Sequence, residues 1–161
     1  MNSKIKDFDR VRQAFNNLKI LKGQYTNIAT SDSDGNPNVA PIGSMRIVDE
    51  NTVHVLQGFL PKTLANLRKN PKATFSTCII PSLLDRLTPF QEKEKDILGY
   101  QVYCTFKGES DNRADVLREV DALSSRVPFF AKGAFKKFCD KNLKRLLMFE
   151  VNNVRAIGAP E

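Results

Sequence analysis

One histidine, three cysteines and no long apolar run set the first limits on this 161-residue sequence. The lone histidine, His54, excludes any mechanism that needs two, and without a C-x-x-C pair there is no case for a structural zinc site. Val53 and Val55 on either side make His54 a mid-strand residue, packed or partly exposed rather than catalytic. Cys78, Cys104 and Cys139 are odd in number and far apart, which argues against a disulfide framework; they read as inert, buried thiols. No apolar stretch approaches the length of a membrane span, and the start, MNSKIKDFDR, lacks the apolar region of a signal peptide. A cytoplasmic protein with no membrane partner is therefore expected. Internal repeats, low-complexity segments and any G-x-G-x-x-G are missing as well, so a doubly wound dinucleotide fold is not expected.

The composition is that of an ordinary globular protein, 27% charged and 41% hydrophobic, and the length suits one domain, 1–161, with a real core. The formal charge of +7 fits three readings equally: a polyanion such as nucleic acid, a small phosphate-bearing ligand, or a solubilising excess.

Along the chain, Phe8, Val11, Phe15 and Leu18 recur at helical spacing and predict an amphipathic opening helix, closed near Lys22-Gly23. Tyr25 to Thr30 is strand-like, and Asp34-Gly35 is the strongest hairpin signal in the chain. Two apolar runs follow, Asn38 to Val48 and Thr52 to Leu56, then a loop led by Gly58 and a short helix opened at Lys62-Thr63 and stopped by Asn70-Pro71. Lys72 to Ile80 is a strand. Residues 81–99, with prolines at both Pro81 and Pro89 and a charged EKEKD run, read as a part-helical insertion. Tyr100, Val102, Cys104 and Phe106 alternate with polar residues as the clearest strand in the sequence. Residues 111–145 are a helical region: first an Asp111-capped helix with Val116, Val120 and Leu123 on one face, then a basic segment. That segment carries Phe130, Phe135 and Phe138 among five lysines and Arg145. Leu146 to Val151 is the last strand, with Val154 to Ile157 its partner or its continuation. Six antiparallel strands with helices gathered late predict a mainly β fold, a barrel with flanking helices.

Polar residues collect at two places in the central stretch, Ser44 to Arg46 and Lys62-Thr63. A helix N-terminus attracts anions through its free N–H groups, and Lys62, Arg46 and the Ser44 and Thr63 hydroxyls would complete a phosphate seat. The alternatives are plain: solvated charges at Arg46 and Lys62, and a helix cap at Thr63.

The turn and strand DGNPNVAPIGSMR, followed by GFLPKTLANLRKNPKATFS, resemble the FMN-binding split barrel of the pyridoxamine phosphate oxidase superfamily, in particular its small FMN-binding and flavin reductase-like members. The resemblance covers Tyr25 to Thr77 well and Tyr100 to Lys107 more loosely. It implies a six-stranded antiparallel split β-barrel that forms a homodimer with FMN at the subunit interface. By that analogy Ala40, Pro41, Ile42, Gly43, Ser44, Met45 and Arg46 run along the isoalloxazine and toward the phosphate. Gln57, Gly58 and Phe59 lie near the ring or ribityl chain, and Lys62 and Thr63 grip the phosphate. The C-terminal LLMFEVNNVRAIGAPE lacks the histidine-containing segment that reads pyridoxal phosphate in the vitamin-synthesising oxidases, so pyridoxamine phosphate oxidation is not expected.

The expected function is a flavin-dependent oxidoreductase, passing electrons from a reduced nicotinamide or a protein donor to a small acceptor, with the chemistry supplied by the cofactor. No side chain is assigned as a catalytic acid or base. The alternative from another class is a non-catalytic module that binds or senses a flavin, a deazaflavin or haem. A nucleic-acid role for the basic region ranks third, since no known nucleic-acid motif accompanies it.

Overall fold

The computed structural model describes residues 8–18, 25–58, 60–78 and 99–158. Helix α1 (Phe8–Asn16) is followed by four strands, β1 (Thr26–Ser31), β2 (Pro37–Ile42), β3 (Met45–Asp49) and β4 (Thr52–Gln57). Then come α2 (Pro61–Lys69), β5 (Lys72–Cys78), β6 (Gly99–Ser110), α3 (Arg113–Ser124), a 3-10 turn (Phe129–Ala131), α4 (Lys132–Asn142) and β7 (Arg145–Ile157). The proposed closure at Lys22-Gly23 and the insertion, up to residue 98, lie outside the described residues.

All seven strands join one antiparallel sheet in the order β2-β1-β5-β6-β7-β4-β3. The two edge strands, β2 and β3, are consecutive in the chain, separated only by Gly43 and Ser44. A flat seven-stranded sheet would hold its edges roughly 29 Å apart, whereas two residues reach no more than about 10 Å between strand ends. The sheet must therefore curl until its edges meet at that corner. This is a mainly β fold of the split-barrel kind with flanking helices, open along the β2–β3 seam.

The expected strand count was six because Asn38 to Val48 reads as one apolar run. The structure breaks it at Gly43–Ser44, giving seven. The Ser44 carbonyl accepts from the Leu56 N–H (3.3 Å) and its hydroxyl donates to the Leu56 carbonyl (2.7 Å), which pins the corner onto β4. Val154 to Ile157 is a continuation of the last strand rather than its partner, with a register shift in the β6–β7 ladder opposite Tyr103 and Cys104. The β1–β2 hairpin is as expected at Asp34-Gly35, where Gly35 takes a φ of 85°. Asp32 organises the turn by accepting from the Asp34 and Asn36 N–H groups.

Alternation along the strands sorts side chains into two cores. Ile28, Phe75, Val102, Leu147 and Phe149 fill the barrel, where the Phe75 and Phe149 rings meet edge to face at 5.0 Å. Leu56 and Leu146, one residue out of phase, face outward against Val116, Val120 and Leu123 of α3 and Cys139 of α4. The same phase leaves Cys78 exposed after buried Thr77, so the expectation of three buried thiols holds only for Cys104 and Cys139.

Candidate functional site

A cavity of about 340 Å³ opens where the curled sheet turns its corner. One wall is Pro41, Ile42, Gly43 and Ser44, with Gly58 and Leu60 from the loop after β4. Leu123 of α3 and Phe135, Phe138 and Cys139 of α4 form the other wall, with Leu143 just beyond. Its size and apolar lining, with backbone exposed at two glycines, suit a flat, mostly apolar small molecule. Gly58 has no left-handed backbone, so the turn does not require it; a Cβ there would meet the Leu143 side chain at 3.3 Å.

Five of the twelve residues singled out from the sequence line this cavity: Pro41, Ile42, Gly43, Ser44 and Gly58. Ala40 and Met45 instead pack on the barrel core. Gln57 ends β4 beside Gly58, and its buried Oε1 has no hydrogen-bond partner. Phe59 lies outside the described residues.

The four residues of the expected phosphate seat are held by different parts of the molecule. Arg46 donates from Nε (2.7 Å) and Nη2 (2.5 Å) to the Glu119 carboxylate on α3. Lys62 is 61% exposed and lies 3.5 Å from Asp32 in the β1–β2 turn. The Asn36 amide holds the Asp32 carboxyl below its ordinary value, with Lys62 contributing less. Thr63 is not a helix cap: α2 begins at Pro61 after Leu60, with no side-chain cap. The buried Thr63 hydroxyl instead accepts from Asn38 (3.1 Å), and Asn66 donates to Thr30 (3.2 Å), so this face of α2 is stitched to β1 and β2.

Sequence reasoning missed Glu119. Its side chain is buried and accepts from both Arg46 and, at 2.8 Å on Oε1, from His54 when the ring carries a hydrogen on Nδ1. Burial pushes this carboxyl up, but the hydrogen bonds and charges of Arg46 and His54 outweigh it and hold the pKa at about 2. Arg126, also missed, donates weakly to the Gly43 carbonyl and to Asn16, both at 3.4 Å. Burial, then the nearby Arg46 charge, lower its pKa to about 10, with Glu119 partly opposing. The Arg46–Glu119–Arg126 group thus ties α3 to β3 and to the cavity corner. A signal for Glu119 existed: it sits between Val116 and Val120, within the apolar stripe of α3.

Among the described residues no three His, Cys, Asp or Glu side chains gather into a group that could hold a metal. Among the described residues no nucleophile–base pair faces the cavity either: Cys139 is the one thiol lining it, and burial raises that thiol's pKa. What the arrangement offers is binding and orientation.

Comparison with known proteins bears on the fold and the family. An uncharacterized protein of Methanocaldococcus jannaschii is 36% identical over 62 residues, 37% of this chain and 42% of that protein. The fold matches an FMN-binding protein from Syntrophomonas wolfei with a TM-score of 0.61 at 17% identity, over 95% of this chain and 90% of that one. It also matches HutZ, the haem storage protein of Vibrio cholerae, with a TM-score of 0.52 at 13% identity, over 97% and 95% of the two chains. The pyridoxamine 5'-phosphate oxidase profile matches residues 16–131, a stretch that runs from the end of α1 to the turn before α4, and the chain belongs to that family.

Proposed function

We propose that this protein is an FMN-binding oxidoreductase, a homodimer with the flavin held at the subunit interface against the corner cavity. The observation that carries this reading is the cavity itself: five residues assigned to flavin contact by resemblance line one wall of it. Three features fit the group. The cavity is apolar and of a size for a planar ring. The orphaned Gln57 Oε1 is an acceptor waiting for a donor at the strand end that leads into the cavity loop. Lys62, the exposed cation at the uncapped start of α2, has among the described residues only a long contact to Asp32 and can turn to a phosphate. Pro41 to Ser44 and Gly58 would hold the ring, and Lys62 with the first N–H groups of α2 the phosphate. Arg46 would join them only by sharing its guanidinium with Glu119. FMN, when bound, supplies the electron transfer; the chain positions it and keeps water from one side. The donor is a reduced nicotinamide or a protein, and the acceptor a small molecule.

The first test is the absorbance spectrum of freshly purified protein, followed by identification of the chromophore released on denaturation. Flavin bands with FMN in the supernatant are expected. A Soret band would move the protein to the haem-binding alternative, and a colourless protein that does not take up added FMN would end the flavin reading. Lys62→Ala should weaken FMN binding about tenfold, the scale of one charge-assisted phosphate contact, as read by fluorescence titration. Unchanged affinity would remove Lys62 from the seat.

A further inference from the structure

The segment from Pro128 to Arg145 carries six basic residues against one acidic, Asp140, in a chain whose whole net charge is +7. It also carries the most exposed large apolar side chains among the described residues, Phe129 at 84% and Phe130 at 76%. Helical spacing divides α4 into three faces. Phe135 and Cys139 turn inward to the second core. Lys136 and Asp140 pair with Asp121 and Arg113 of α3. The remaining face, continued back through the preceding turn, presents Phe130, Ala134, Lys137 and Lys141, all exposed, with Phe138 at its border, where the ring also lines the cavity. Lys137 and Lys141 have no acidic partner among the described residues, and neither has Lys144 just beyond the helix.

We propose that this outward face of α4, led by the Phe129–Phe130 turn, docks on an anionic lipid bilayer. Its chemistry is that of a helix lying in the interface plane. Phenyl rings enter the headgroup–acyl boundary, while lysines reach past them to anionic headgroups and bury their methylene stems. Two other occupants fit less well. A second copy seated on the same face across a two-fold axis would set lysines against lysines. Single-stranded nucleic acid would need ring faces lining a groove, whereas Phe129 and Phe130 pack edge to face at 5.9 Å on a protruding turn. That no helix among the described residues is long and apolar enough to cross a membrane does not bear on binding at its surface. The expectation of no membrane partner rested on the lack of a spanning run and of a signal-peptide apolar region, neither of which bears on a surface contact.

The test is co-sedimentation of the full chain with phosphatidylcholine vesicles, with and without phosphatidylglycerol, over a range of salt. Binding is expected only with phosphatidylglycerol and should weaken with salt. Phe129→Ser with Phe130→Ser leaves the charge unchanged and should cost about tenfold in partitioning. Lys137→Glu with Lys141→Glu should abolish it, and is the second route if the serine variant fails to fold. Four results would overturn the proposal. These are no binding to phosphatidylglycerol vesicles; a folded serine variant that partitions like the parent, which is mere adsorption of a basic protein; binding of single-stranded RNA but not vesicles; and a dimer that the serine variant dissociates, again without vesicle binding.

Discussion

Glu119 is a carboxylate where helical periodicity puts a valine or a leucine. The sequence around it predicts the helix and its apolar face correctly, yet gives no hint that Arg46 and His54, 73 and 65 residues away, will meet it there. Such pairings are set by how strands are ordered in the sheet, which local spacing does not encode. The energetic consequence has a definite sign. The folded-state pKa lies below the ordinary carboxylate value, so Glu119 contributes its stability in full above about pH 4.5 and loses it as pH falls toward 2. Urea denaturation of the parent protein should therefore show stability declining across that window. In Glu119→Gln the decline should be shallower, and at neutral pH the variant should be weaker by about 3 kcal/mol, since the Arg46 guanidinium loses its buried carboxylate partner. Equal slopes for parent and variant would show that the carboxylate is not held by those two residues in solution. The candidate site was legible where it rests on backbone and small side chains, Pro41 to Ser44 and Gly58. It was not legible for the ion cluster behind it.

At the scale of the element, one junction depends on a side chain that the sequence leaves anonymous. Asn16 ends α1, and its amide both donates to the Ile47 carbonyl (2.8 Å) and accepts from the Ile47 N–H (2.9 Å). Ile47 lies on β3, an edge of the sheet, so the amide occupies backbone groups that would otherwise invite another strand. Asn16→Ala should lower unfolding free energy by about 2 kcal/mol, the scale of two partly buried hydrogen bonds, and should raise light scattering on heating. A variant with parental stability and no added aggregation would show that water serves that edge equally well. Helices and most strands were legible because their period is written in the apolar residues. The break at Gly43–Ser44 was not, because buried Ile42 and Met45 sit on either side and the run reads on as one strand.

For the whole molecule, the corner does two jobs at once: it holds the two edges of the curled sheet together at one end and it forms a wall of the cavity. These can be separated. Inserting two glycines between Gly43 and Ser44 lengthens a surface connection, which costs less than about 1 kcal/mol in chain entropy. The unfolding midpoint should move little, while FMN affinity falls about tenfold or more by titration, because the wall can no longer hold one geometry. Parallel losses of both would mean that the seam, not the wall, depends on the corner. The β class and the flanking helices followed from the order of elements; the strand order did not. β7 lies between β6 and β4, pairing Leu147 with Val55 on one side and Glu109 on the other. Without it the sheet falls into a four-stranded piece, β2-β1-β5-β6, and a separate β4–β3 hairpin. During synthesis β7 is the last of these strands to leave the ribosome. Until it does, the nascent chain carries the unpaired edge of β6 and a β3–β4 hairpin with nothing to join, and both stay open to chaperones and to mispairing.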